Sequence, residues 1–347
     1  MGEGGSAPTF DSCTFSNSSA VRYGGAIFLQ ASTMNATNCT FSNNRATEPS
    51  TSYGYGGAIY ISSGVLNLTD CAFFNNTSTS GGGAIYKLNS GTATFAFERC
   101  HFKNNVCHNG NSIGTGGAFQ MYGGNATILN CLFDGNKALG TGDDGGGAIM
   151  NYNGTVMVTN STFVNNHTAR YGGAISNFNS NSCTTIVKNT IFSNNTAVVS
   201  APTIYKPAAG SASISHSLIP ENTCPTNVVC GAGNLFNVAP FFVSATDFHL
   251  QDCSPAIDAG LDANTATTTD LDGSTRKFEA LAGGQMIDMG AYEYQSDATP
   301  TIAVCQTSVN AVLDNTGSAT VLATALNDGS TGCSPLVFSI GGQPSVS

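Results

Sequence analysis

Apolar and polar residues alternate in short runs through the first two hundred positions, as in TMNATNCTF (Thr33–Phe41) and TVMVTNSTF (Thr155–Phe163). A period of two marks strands with one buried face, and no 3.6-residue stripe competes with it. Two motifs punctuate the runs. Gly-Gly-Ala followed by Ile or Phe begins at Gly24, Gly56, Gly82, Gly116, Gly146 and Gly172. Phe-x-x-Asn begins at Phe41, Phe73, Phe102, Phe133, Phe163 and Phe192, with a degenerate copy at Phe15. Successive Phe residues lie 26, 32, 29, 31, 30 and 29 positions apart. The step from motif Ala to the next Phe is 15 in four units and 18 in two, whereas the step from Phe to Ala ranges from 11 to 17. One side of each unit is therefore fixed and one corner accepts insertions, which is how a solenoid varies.

The repeats align into columns. Two positions before each Phe stand Cys13, Cys39, Cys71, Cys100 and Cys131, then Ser161 and Thr190. Cys and Phe share strand parity and are expected to point inward. Ile27, Ile59, Ile85, Phe119, Ile149 and Ile175 follow the motif Ala as a second inward column. Asn44, Asn76, Asn105, Asn136, Asn166 and Asn195 close the Phe motif, where stacked amides can bond from turn to turn. The predicted fold is an all-β, right-handed parallel β-helix of about seven to nine coils over residues 1–245. Seven coils would make a rod on the order of 34 Å long. The opening MGEGGSAPTF reads as the middle of a repeat.

The alternation of Gly-Gly-Ala and Phe-x-x-Asn resembles the repeats of polymorphic outer-membrane proteins and related bacterial β-helix surface proteins, over about residues 4–200. SPAIDAG, DLDG, Arg276 and DMGAYEY, between Ser254 and Tyr294, resemble the tail of β-helix proteins of the choice-of-anchor type. That resemblance implies an exported, surface-associated protein with a C-terminal cap or sorting segment over 246–297. Residues 298–347 resemble the first strands of an Ig-like module, too short to complete a sandwich.

Charge sharpens the division. Phe10–Ser200 carries seven acids and eight bases, while Ala201–Ser347 carries thirteen acids and three bases, so the net charge of −10 belongs to the C-terminal part. With no basic face, nucleic acid is not an expected partner. No apolar run reaches transmembrane length. Five of the twelve cysteines fall in the inward column and read as free packing residues; Cys224–Cys230 and Cys305–Cys333 are the disulfide candidates. No spacing reads as a zinc site.

Three surfaces are candidates for function. If the Ile column points in, Phe28, Tyr60 and Tyr86, continued by Gln120, Met150 and Ser176, point out as a stripe suited to the flat faces of sugars or to a protein. Asp270, Asp272 and Asp288, with Asp258 and Asp262 nearby, offer hard oxygen ligands for Ca²⁺, although D-x-D-G is equally a turn sequence and Arg276 is a natural partner for one of these acids. Otherwise no cofactor is expected. Glu98, Arg99, His101, Lys103 and His108 form the one polar cluster of the repeats, Glu98 with the parity of Cys100, and Asp143–Asp144 lie in an insertion. Neither supplies the paired carboxylates of a glycosidase. A Thr column (Thr37, Thr69, Thr159) suited to ice is broken by Glu98, Leu129 and Lys188.

These features point to a non-enzymatic extracellular or bacterial surface protein that binds a surface glycan or protein. The alternatives are a polysaccharide-active lyase or hydrolase, with its site between Phe-x-x-Asn and Gly-Gly-Ala, and a subunit that self-associates end to end into filaments.

Overall fold

The computed structural model describes residues 5, 7–47, 53–88, 93–108, 114–142, 145–178, 182–265, 267–280 and 287–296. Among them the chain is an all-β parallel solenoid of about seven turns, with no α-helix and a single 3-10 turn at Asp262–Asn264. The Ig-like module expected over 298–347 and the pairing of Cys305 with Cys333 lie outside the described residues.

One turn illustrates the rest. A long strand, Gly64–Thr69, is followed by a Phe-bearing strand, Ala72–Phe74, a narrow strand, Thr77–Ser78, and, after a connection, the Gly-Gly-Ala strand Ile85–Lys87. Each pairs in parallel with its counterparts one turn away, so the walls are sheets of nine long, nine Phe-bearing, seven narrow and seven Gly-Gly-Ala strands. Partial turns through Leu218–Ile219 and Leu235–Phe236 extend the Phe sheet beyond the repeats.

The corners follow from the residues placed there. Asp70 and Asn75 bracket the Phe strand with φ of 53° and 55°. This left-handed conformation costs Asn and Asp less than other non-glycine residues. The first Asn of each Phe-x-Asn-Asn motif makes the bend and the second faces the interior. The double glycine answers two separate constraints. Gly56 has φ of 67°, and a Cβ on Gly57 would lie 2.1 Å from the carbonyl oxygen of Gly83 in the next turn.

Inside, Phe15, Phe41, Phe73, Phe102, Phe133, Phe163 and Phe192 form one stack with centroid separations of 4.6–5.2 Å. Fully burying each ring stabilises the fold by about 1.5–3 kcal/mol. Cys39, Cys71, Cys100 and Cys131 are buried free thiols, and Cys13, in the first turn, is half-buried. The Asn column is a continuous ladder. Asn76 Nδ2 donates to Asn105 Oδ1 at 2.9 Å and to Phe41 O at 2.9 Å, while Asn76 Oδ1 accepts from Asn44 N and Nδ2 at 3.0 Å. The pattern repeats through Asn136, Asn166 and Asn195, so these buried amides have partners.

Two sequence expectations change here. Glu98 does not share a face with Cys100, because Arg99 between them turns a corner with φ of 48° and resets the parity. Phe97 points in, and Glu98 is part-exposed beside Arg99. The outward stripe is not exposed either: Tyr60, Tyr86, Gln120, Met150 and Ser176 are at most 4% accessible, and only Phe28 in the first turn is part-exposed. A further layer covers them. Residues leading into the Gly-Gly corners bridge from turn to turn, Tyr23 to Tyr55 and Tyr55 to Gly81, and Tyr55 packs on Tyr86 with centroids 4.4 Å apart.

Candidate functional site

The C-terminal segment lies along the outer face of the Phe sheet. Phe248 packs on Leu132 and Val164, and Leu250, Ala256, Ile257 and Met289 pack on Ile191 and Leu218. Ala291 N donates to Thr162 Oγ1 at 2.9 Å, Gly290 N to Asn189 O at 2.9 Å, and Asn130 Nδ2 to Thr269 O at 2.8 Å. Arg99 Nη1 reaches Thr269 Oγ1 at 3.4 Å while binding Asp70 through Nε and Nη2 at 2.7 and 3.0 Å. The expected terminal cap is thus a strip on the flank of several turns. Sites for these contacts exist because this face carries Leu132, Thr162 and Ile191 where earlier turns carry Thr40, Ala72 and His101, and Val164 where they carry Phe74, Lys103 and Asp134.

The residues of SPAIDAG, DLDG, Arg276 and DMGAYEY meet within this strip. Asp270 spends its oxygens on backbone donors: Oδ1 accepts from Asp272 N at 3.0 Å and Ser274 N at 2.8 Å, Oδ2 from Glu293 N at 2.9 Å. Asp288 accepts from Asp258 N at 2.8 Å and Tyr294 N at 2.6 Å. Arg276 is fully buried; Nη2 donates to Gly290 O, and Nη1 lies 3.5 Å from Glu293 Oε2. Burial pushes Asp288 up to about 7, against the pull of Tyr294 N, Asp258 N and Arg276. Burial and the neighbouring Asp288 push Glu293 up to about 9.

The expected trio Asp270, Asp272 and Asp288 does not converge as a ligand set. Asp270 closes a turn, and Asp272 is directed to the surface, where its Oδ2 meets His249 Nε2 at 2.7 Å. The carboxylates that do converge are Asp258, Asp288 and Glu293, with one oxygen of each within 4.8 Å of the others. The partner of Arg276 is Glu293 rather than an aspartate. Glu293 was absent from the sequence candidates, although an acid set in Ala-Tyr-Glu-Tyr is itself a sign of burial. On the surface, His249 lies between Asp247 and Asp272 and against the Tyr292 ring, centroids 4.1 Å apart. Burial opposes its charge, but the two carboxylates outweigh burial and raise its pKa.

Lys103 Nζ pairs with Asp134 at 3.0 Å. His101 is part-buried against Phe74, and the loss of solvent around its ring lowers its pKa to about 4. Cys224 and Cys230 form a disulfide with Cα atoms 6.0 Å apart, and Cys253 is also disulfide-bonded. Near the first bridge lies an open cleft of about 540 Å³ lined by Tyr205, Lys206, Pro207, Glu221 and Asn227. Its one carboxylate, Glu221, is occupied by Thr203, whose N and Oγ1 donate at 3.2 and 2.6 Å. Asp143–Asp144 lie outside the described residues.

The repeat geometry is the feature that other proteins share. Residues 38–62, 70–87, 130–152 and 160–178 match the model of the Chlamydia polymorphic membrane protein repeat. Each matched stretch opens at a left-handed corner, at Asn38, Asp70, Asn130 and Asn160. Each then runs through the Phe strand and the Asn ladder to the end of the Gly-Gly-Ala strand. The repeat likeness therefore rests on three of the four walls and omits the long strands. No curated protein and no solved structure matches the chain. Among the described residues no helix is long and apolar enough to cross a membrane.

Proposed function

We propose that the chain is a non-enzymatic, exported bacterial surface protein whose solenoid displays variable connections to a glycan or protein on another surface. The observation that carries this reading is the distribution of carboxylates. Where acids converge, at Asp258, Asp288 and Glu293, two of the three are buried beside Arg276. In the cleft beside Cys224–Cys230, the single acid among the described lining residues, Glu221, has both oxygens engaged. Neither arrangement gives the two accessible carboxylates that glycoside hydrolysis requires. The likeness to polymorphic membrane protein repeats supports a surface location. Binding falls to the corner between the narrow and Gly-Gly-Ala walls, because the buried Tyr60 and Tyr86 cannot meet a ligand and the unit length varies at that corner.

The experiment is binding of the purified chain to glycan arrays and to host and bacterial cells. A variant is compared in which the long connections after Phe41 and Phe102 are cut to the 11-residue spacing found after Phe73. At least a tenfold loss of binding with an unchanged melting curve is the expected result. Unchanged binding would move the contact surface elsewhere, and turnover of a polyuronate by the intact chain would overturn the non-enzymatic reading.

A further inference from the structure

The core of the C-terminal strip holds more carboxyl groups than its one guanidinium can pair with. Asp270, Asp288 and Glu293 all act on Arg276, and Asp258 acts on Asp288. Four carboxyl groups face one cation in a region where Asp270, Asp288, Glu293 and Arg276 are at most 3% accessible, so any that ionises beyond the first lacks a matching charge. A buried carboxylate with no compensating charge is among the most costly groups a fold can carry. Arg276 compensates incompletely, since Nη1 stands 3.5 Å from Glu293 Oε2, whereas a charge-assisted bond closes to about 2.7–2.9 Å.

A second observation is independent of the charge count. Glu293 Oε1 has no hydrogen-bond partner although the side chain is wholly buried. Its other oxygen accepts from Asp288 N at 3.2 Å, which holds the carboxylate beside Asp288. The distances also suit one ion. Oxygens bound to a single Ca²⁺ at about 2.3–2.6 Å lie no more than about 5 Å apart, and those of Asp258, Asp288 and Glu293 fall within 4.8 Å of one another. The ligand set is all oxygen, without thiolate or imidazole, and so selects a hard cation.

We propose that Asp258, Asp288 and Glu293 bind one calcium ion, which fastens the SPAIDAG and DMGAYEY stretches of the strip to each other. Asp258 supplies the accessible side of the site, and Asp288 and Glu293 its floor. Asp270 and Asp272 stay outside it, the first closing its turn and the second paired with His249. The site is a structural clasp: it joins chain segments about thirty residues apart that otherwise meet through few backbone bonds.

The test uses the full chain stripped with EDTA. Calorimetric titration with Ca²⁺ is expected to give one site per chain. Tb³⁺ is expected to bind with luminescence sensitised by nearby tyrosines, such as Tyr294, and to be displaced by Ca²⁺. Hydrogen exchange is expected to slow between Asp258 and Tyr294 on adding Ca²⁺. Asp258→Asn and Glu293→Gln are each expected to weaken binding at least tenfold, while Asp272→Asn leaves it unchanged. Because Glu293→Gln changes a buried group, the part-exposed Asp258→Asn is the decisive variant if the former fails to fold. A folded chain that takes up neither ion at millimolar concentration would overturn the site, as would stoichiometric binding that Asp258→Asn leaves intact.

Discussion

Asn105 and Arg276 are both fully buried polar side chains, and they are kept in opposite ways. Asn105 donates to Phe73 O and Asn136 Oδ1, and accepts from Asn76 N and Nδ2, each at 2.9–3.0 Å. Its neighbours one turn away do the same. Arg276 has no repeating neighbour; it sits among acids drawn from distant points of the strip, one hydrogen bond formed by Nη2 and a looser contact by Nη1. In the solenoid, polar satisfaction is distributed and each unit answers to the two beside it. In the strip it converges on one place, so a single change should release the whole segment.

The largest expected effect therefore lies at Arg276. Arg276→Leu removes the only guanidinium among Asp270, Asp288 and Glu293 and should cost about 3–5 kcal/mol. Hydrogen exchange should show the loss over residues 247–294, with amides around Phe102 still protected. Simultaneous opening of both regions would break the contrast. Next comes Asn105→Ala, which strands buried partners in the turns above and below and should cost about 2–4 kcal/mol in denaturant unfolding. The double variant Asn105→Ala/Asn136→Ala should cost less than the two singles together, since the removed groups were each other's partners.

A smaller effect comes from titration. His101 has a folded pKa of about 4, below its unfolded value near 6.5, because of the loss of solvent around its ring. Its neutral form is the stable one, so stability is complete above pH 6.5 and falls as pH drops toward 4, by about 3 kcal/mol at most. His101→Leu, the residue at the paired position Leu132 of the next turn, should flatten that limb of the stability curve. His249 has the opposite sign. Its pKa is raised, so its contribution is present below the unfolded value and lost as pH rises through the folded one. Being part-exposed, it should give the smallest change, seen as a loss of acid-side stability in His249→Gln.

The wall-forming residues were legible because a repeat supplies its own comparison. Phe73 gains meaning from Phe41 and Phe102, and one Asn at a fixed offset predicts the next. Burial of Tyr60 and Tyr86 was not legible. Alternation correctly turned them away from the Ile column, but the covering residues Tyr23 and Tyr55 belong to the irregular approach to the Gly-Gly corner, which has no period. Glu98 was misplaced because a single left-handed residue, Arg99, erases parity and carries no sequence mark when it is not Asn or Gly. The strip shows a third limit. Asp270 and Asp272 drew attention as close neighbours in sequence, whereas Asp258 and Glu293 meet only after the chain has folded back on itself.

The Asn ladder has one further property. From Asn44 to Asn166 each side-chain amide points its N–H toward the following turn and its oxygen toward the preceding one. Reversing a single amide would set oxygen against oxygen on one side and N–H against N–H on the other. The column thus behaves as an aligned row of dipoles with one permitted sense, each polarised by the last. Each turn presents a donor at a fixed height, and the ladder closes only where the next turn places an Asn oxygen there. Register is thereby fixed at every corner, because a stretch that is one residue out of step leaves both ladder partners unbonded.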